Sequence, residues 1–212
     1  MPIFGIENEP YRGRELLVHF DKMLVECSEK VMLLPALSTK NEIAINELSS
    51  HQKMAIQVTN QSLNLAFSIR ELVRQGYLFG SLTLERSFVE RIIILLYLKE
   101  KPDDIGKWEA GWSTHHNNKN LKAPSFTKMA DCIGGSQFKG FADSYNDLVH
   151  GKPKSIAHGL IVGADSYVVS PSKTLNNTKD CDALCWTITS WLVCLLAMIY
   201  HYFPEFMVTT DD

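Results

Sequence analysis

Residues 92–98 read Ile-Ile-Ile-Leu-Leu-Tyr-Leu, and this apolar run decides the fold class. It belongs to a segment, residues 77–99, that is amphipathic at its start and apolar almost all round from 92 to 98. A helix that is apolar on every side must be buried on most sides. We therefore expect residues 77–99 to form the central helix of a bundle.

The segments before this helix carry apolar residues at steps of three and four, which is the spacing of one helix face. In residues 11–34 the apolar positions are Leu17, Phe20, Leu24, Cys27, Val31 and Leu34. In residues 51–75 the inner positions are Leu65, Ile69, Leu72 and Val73. Pro35 is expected to end the first helix, because proline cannot continue the backbone hydrogen-bond ladder. Gly76 fits a C-terminal cap of the next helix.

The chain after residue 100 predicts shorter helices. Pro102 suits the first turn of a short helix that would run through Trp108 and Trp112, which would share one face. Ser125 caps a further helix that ends near Gly134-Gly135. Another helix covers residues 138–150, and the last one residues 178–203.

Before the last helix the apolar residues no longer follow the helical spacing of three and four. Apolar triplets at 160–162 and 167–169 flank Gly163-Ala164-Asp165-Ser166, a pattern typical of a small β-hairpin. We therefore expect an all-α fold, a bundle of about six or seven helices with a β-hairpin insertion at 159–170. The length of 212 residues fits one domain, residues 1–212, with an N-terminal tail at 1–10.

Charge and cysteine content limit the kinds of molecule that the protein is expected to bind. The net charge of -3 and the pI near 6.2 argue against the broad basic face of a DNA-binding protein, although a local basic groove for RNA is compatible with them. The five cysteines form no compact framework and residues 1–10 do not resemble a signal peptide, so we expect free thiols and a cytoplasmic protein. Cys181 and Cys185 lie one helical turn apart, but no second ligand pair accompanies them. No metal and no cofactor are predicted.

The last helix has an alternative interpretation. Residues 183–203 carry no acidic or basic side chain except His201, and this length can cross a bilayer. The flanks are acidic rather than basic, and Thr187, Thr189 and Ser190 interrupt the apolar run. Burial in the bundle is therefore the favoured interpretation, and a membrane-associated effector is the alternative.

Residues 145–151, Tyr-Asn-Asp-Leu-Val-His-Gly, contain the first candidate site. Asn146 and His150 are four residues apart and share a helix face, with Tyr145 at its border. Histidine exchanges a proton near neutral pH and can act as a general acid or base in RNA cleavage. Alternatively, a histidine in the last turn before Gly151 is what capping and the helix dipole favour by themselves.

Arg86 and Glu90 form the second candidate, one turn apart on the central helix. The pair could position an anion or organise the helix that carries His150. The alternative is an ordinary ion pair within one helix, which contributes only a few tenths of a kcal/mol.

These motifs resemble a known group. Arg86 and Glu90 on a long helix, a tryptophan-containing helix after it, and the 145–151 segment are similar to an uncharacterised family of bacterial helical proteins, itself similar in layout to HEPN-like domains. The resemblance covers Leu65 to Gly151. It implies a homodimer whose Arg and His cut RNA without a metal. His150 matches the family's His, but residues 143–145 hold no Arg, so Arg86 or Arg91 would have to replace it.

Three functions follow as hypotheses. The first is a non-catalytic, HEPN-like interaction or regulatory module, a homodimer or bound to a protein partner, in a bacterial antiviral defence or stress system. The second is a metal-independent endoribonuclease, a toxin or phage-defence effector that uses His150, Asn146 and Tyr145. The third is the membrane-associated effector.

Overall fold

A computed structural model describes residues 4–40, 48–112, 122–149, 160–162, 167–169 and 173–204 of the chain. Six α-helices lie within these residues, and the fold is an all-α bundle, as the sequence predicts. The helices are α1 (Glu15–Lys40), α2 (Ser50–Arg74), α3 (Leu78–Glu100), α4 (Ile105–Glu109), α5 (Phe126–Val149) and α6 (Thr178–Tyr202). Short 3-10 helices cover Ile6–Asn8 and Pro102–Asp104.

The central helix of the bundle is α3, which packs against α2, α5 and α6. Its apolar run is buried as expected on several faces. The buried residues of that run are Ile92, Ile93, Leu95, Tyr97 and Leu98. Because neighbours surround α3, the other helices can each bury only one face against it.

A tight turn joins α2 to α3. Gly76 has a φ of 80°, and the amides of Gly76 and Tyr77 donate to the carbonyls of Val73 and Leu72. This is the paired bonding of a Schellman cap, which confirms the predicted role of Gly76. A Cβ on Gly76 would lie 2.9 Å from a side-chain carbon of Leu175, so glycine is needed here for space as well as for conformation.

The first and last helices are parallel neighbours. Arg14, just before α1, forms an ion pair with Asp182 near the start of α6, with Nε 2.6 Å from Oδ1. Further along, the Cys27 thiol lies 3.5 Å from the carbonyl of Leu192. Contacts that run in the same order along both helices show that they point the same way.

The prediction that Pro35 ends the first helix is wrong, because α1 continues to Lys40. Proline removes one backbone donor from the ladder, while the other residues of the turn can still make their hydrogen bonds. The sequence of residues 38–50 predicts a loop and a short, polar helix; residues 38–40 belong instead to α1, and residues 41–47 lie outside the described residues.

The short helix after Pro102 also ends sooner than expected. Trp108 is in α4, but Trp112 lies beyond its end and packs against the ring of Tyr97 at 5.9 Å. The two tryptophans therefore do not share a helix face. Both still pack against the core.

Two short strands, β1 (Leu160–Val162) and β2 (Tyr167–Val169), pair antiparallel with Leu160 opposite Val169. Residues 159, 163–166 and 170 of the predicted insertion lie outside the described residues. The hairpin as a complete unit therefore stays a prediction.

Helix α6 is long and apolar and also packs within the bundle. Its most apolar window has a mean hydropathy of 1.9, and 44% of that window is buried. The core helix of a soluble protein and a membrane span can both have these values. The cellular location stays a prediction.

Candidate functional site

Arg86 and Glu90 form the ion pair that the sequence predicts on the central helix. Nη1 of Arg86 lies 2.6 Å from Oε2 of Glu90, one turn further along α3. Their side chains are only 19% and 26% exposed, so the pair lies at the edge of the core rather than on an open surface. Partial burial strengthens the attraction between the two charges.

The same arginine connects α3 to α5. Its guanidinium carbon lies 4.9 Å from the centre of the Phe126 ring, a cation–π distance. Phe126 is the first residue of α5 and is 4% exposed. The Arg86–Glu90 pair therefore lies against the start of α5.

Helix α5 reverses direction at Gly135, which has φ 64° and ψ -152°. The Thr127 hydroxyl donates to the Asp143 carboxylate at 3.3 Å. In a straight helix these residues would be about 24 Å apart, since each residue adds about 1.5 Å. The part of α5 after Gly135 therefore folds back alongside the part before it, as the predicted break at Gly134-Gly135 requires.

This reversal returns the later residues of α5 towards its start. Tyr145 and Asn146 follow Asp143, which contacts Thr127, and Phe126 carries Arg86 against its ring. The backbone of the 145–149 segment is thereby directed to the end of α5 that Arg86 contacts.

The structure describes the five predicted site residues to different extents. Arg86 and Glu90 are in contact. Tyr145 and Asn146 belong to the second part of α5, and their side chains are outside the described set. His150 lies outside the described residues, so a composite site that includes it stays a prediction.

Glu85 was not identified from the sequence. It is 3% exposed, a carboxylate on the buried face of α3. The sequence contains a signal for its burial, because Glu85, Phe88 and Ile92 are spaced by three and four residues, as on one buried helix face. A carboxylate in that position needs polar partners to offset its desolvation.

A groove with three lysines adjoins the start of α5. Its volume is about 630 Å³, and Lys107, Lys122 and Lys128 line it with Ser125 and Asp104. The Ser125 hydroxyl accepts from the Lys128 amide at 3.3 Å, which confirms the predicted N-cap. Excess positive charge beside a helix N-terminus can attract an anion.

One of these lysines is engaged within the groove. Nζ of Lys107 lies 2.5 Å from Oδ1 of Asp104, and the Tyr97 hydroxyl donates to the other carboxylate oxygen at 2.6 Å. Burial opposes ionisation of Asp104, but these two contacts outweigh it and lower the pKa of that carboxyl. The carboxylate is therefore held in its charged form and offsets part of the positive charge.

The cysteine pair of α6 is buried. Cys181 and Cys185 are both fully covered. The neighbouring Cys181 thiol and burial together raise the pKa of Cys185. Within the described ranges no group of three or more His, Cys, Asp or Glu side chains is arranged to hold a metal ion.

Comparison of the chain with protein-family models, with curated proteins and with solved structures found no match.

Proposed function

We propose that this protein is a non-catalytic, HEPN-like interaction or regulatory module of a bacterial defence or stress system that acts through a homodimer or a protein partner. The observation that supports it is the environment of Arg86. Glu90 matches its charge at 2.6 Å, and the Phe126 ring covers one side of it.

An arginine that orients a phosphate must offer its donors and its charge to the substrate. Arg86 directs Nη1 to a carboxylate on its own helix, and that carboxylate would repel a phosphate at the same place. Positions 143–145, where the resemblance implies an Arg, hold Asp143, Ser144 and Tyr145. Together these features favour a structural role for the Arg86–Glu90 pair and a module without RNA cleavage.

Two observations favour a metal-independent endoribonuclease as the second candidate. The reversal of α5 directs the segment that carries Tyr145 and Asn146 to the end of α5 near Arg86. The lysine groove adjoins the same end. An RNA backbone could lie along the lysines while His150 supplied proton transfer.

Expression in cells of the intact chain and of His150→Ala, with growth and total RNA integrity scored together, tests the proposal. We expect intact RNA in both cultures and the same growth for both, because the module does not cut RNA. Cleavage by the intact chain that disappears in His150→Ala would instead establish the ribonuclease.

The same proteins, purified and incubated with labelled RNA and a chelator, provide the second readout. Lys107→Gln/Lys122→Gln/Lys128→Gln removes the charge of the groove. A matched variant, Lys22→Gln/Lys53→Gln/Lys179→Gln, removes the same charge from exposed positions elsewhere. The non-catalytic module predicts no cleavage by any of them. Cleavage that only the groove variant loses would contradict it.

A further inference from the structure

The solvent-facing side of α6 carries no charged side chain over about four turns. Within residues 183–197 its exposed residues are Ala183, Trp186, Ser190, Val193 and Ala197. Trp186 and Val193 are 63% and 51% exposed. The exposed side of α1 is different, because it includes Glu15, Lys22, Glu26 and Glu29. The exposed face of α6 therefore lacks the charged residues that usually cover the outside of a bundle.

Two hydroxyl groups on or beside this face, those of Ser190 and Thr187, are hydrogen-bonded within α6 itself. Ser190 donates to the carbonyl of Trp186 and Thr187 to the carbonyl of Ala183, each at 2.9 Å. Burying these hydroxyls against a partner would therefore leave no donor without an acceptor. The face is suited to an apolar partner.

The spacing of the exposed residues is that of a coiled-coil seam. Steps of three, four, three and four place them at the a and d positions of a heptad. All the a positions are small, namely Ala183, Ser190 and Ala197. The d positions Trp186 and Val193 are larger. Small and large residues thus alternate along the seam.

This alternation is self-complementary in an antiparallel pair, where a residues of one helix face d residues of the other. Trp186 would face Ala197 of a second copy, and Val193 would face Ser190 of that copy. Facing large and small residues interdigitate without voids or overlap. A parallel pair would instead place Trp186 against Trp186.

The charges near the two ends of α6 agree with the same arrangement. Lys179 is exposed in the first turn, four residues before Ala183, and His201 is exposed in the last turn, four residues after Ala197. A parallel pair would place Lys179 beside Lys179 of the second copy, whereas an antiparallel pair keeps the two lysines at opposite ends. The helix dipoles also oppose each other in this orientation.

We propose that the exposed face of α6 binds the same face of a second copy of this chain, antiparallel, about a twofold axis between Ser190 and Val193. This deepens the proposed function, on which it rests, by identifying the partner as a second copy. The contact is isologous, so the same residues act on both sides. Residues 183–197 span about 21 Å. Because an interface of that length is small, we expect micromolar dissociation rather than nanomolar.

Sedimentation equilibrium of the full chain and of Trp186→Ala tests the contact. We expect a wild-type dimer and a dissociation constant raised about tenfold or more in Trp186→Ala, since a buried tryptophan is a common hot spot. Val25→Ala is the matched control, because Val25 is a 55% exposed apolar residue on α1. It should leave the dissociation constant unchanged. Far-UV circular dichroism verifies that each variant is folded.

The double variant Trp186→Ala/Ala197→Trp tests the antiparallel register. It exchanges the large and small partners in both symmetry-related Trp186–Ala197 layers and should restore dimerisation to within about threefold of the wild type. A monomeric wild type, an unchanged dimer in Trp186→Ala, or no restoration by the double variant would each overturn the proposal. Binding of a monomer to phosphatidylcholine–phosphatidylglycerol vesicles, with a blue shift of tryptophan fluorescence, would identify a bilayer as the occupant and also overturn it.

The outcomes separate this inference from the proposed function. A monomer that leaves RNA intact would remove the α6 contact and keep the non-catalytic module. A dimer that cleaves RNA in a His150-dependent manner would keep the α6 contact and contradict the non-catalytic module.

Discussion

At the scale of single residues, Arg70 connects two parts of the chain that the sequence does not relate. Its guanidinium lies 3.0 Å from Glu9 and 2.5 Å from Asp21. Burial by itself would lower the pKa of Arg70, but the hydrogen bonds to Asp21 and Glu9 outweigh it and raise that pKa. The Glu9 side chain is only 7% exposed, so Arg70 is the cation that pairs with a largely buried carboxylate.

Replacement of Arg70 by alanine should lower the free energy of unfolding by about 2–4 kcal/mol, because Glu9 would be left buried without its cation. The cost is moderated by Asp21, which is 44% exposed and can be solvated. Urea denaturation measures the change. Lys107→Ala is the control, since its side chain is 45% exposed and its pair with Asp104 should contribute about 0.5 kcal/mol or less. Equal effects of the two substitutions would contradict the role given to Arg70.

At the scale of secondary structure, the reversal of α5 depends on one residue. Gly135 has φ 64° and ψ -152°, a region that residues with a Cβ rarely adopt. A Cβ at this position would meet no heavy atom within 4 Å, so the constraint is conformational and not steric crowding.

Gly135→Ala is therefore expected to destabilise the protein by about 1–3 kcal/mol. Gly140→Ala is the matched control, because Gly140 lies within the helical second part of α5 and its Cβ would also meet nothing within 4 Å. That change should stabilise by about 0.5–1 kcal/mol, since alanine favours a helix more than glycine does. Thermal unfolding of both variants measures the difference, and shifts of the same sign would show that the two glycines are equivalent.

At the scale of the whole molecule, a segment near the start of the chain and the segment just before α6 meet at the turn between α2 and α3. The amide of Phe4 donates to the Gln75 side chain at 3.0 Å, and the amide of Thr174 donates to the Gly76 carbonyl at 2.7 Å. Tyr11 then donates to the carbonyl of Thr174. Since α6 also packs on α1, α2 and α3, its release would expose the inner faces of these three helices.

The chain should consequently unfold in one cooperative transition in urea. In Trp108→Phe/Trp112→Phe, tryptophan fluorescence reports only on Trp186 and Trp191 of α6, while far-UV circular dichroism reports on all helices. We expect the two midpoints to coincide. An earlier fluorescence transition would mean that α6 separates from the bundle on its own, as the membrane alternative requires.

Spacing along the chain was enough to predict the long helices and most of their inner faces. The run at 92–98 indicated that α3 is central, and Ser125 and Gly76 indicated helix ends, because these signals act within a few residues. The predicted helix end at Pro35 was wrong, because the missing proline donor is outweighed by the other hydrogen bonds of the helix around it. The predicted helix through Trp112 was wrong, because the short helix ends before that residue.

Sequence alone determined the helical class, the apolar stripes and the contact between Arg86 and Glu90, since each depends on residues within one turn of a helix. Tertiary structure decided that Phe126 covers Arg86, that Asp143 returns to Thr127, and that α1 and α6 run parallel. These contacts join residues far apart in the chain, and they exist because apolar faces pack against one another in three dimensions. No local spacing encodes such pairings.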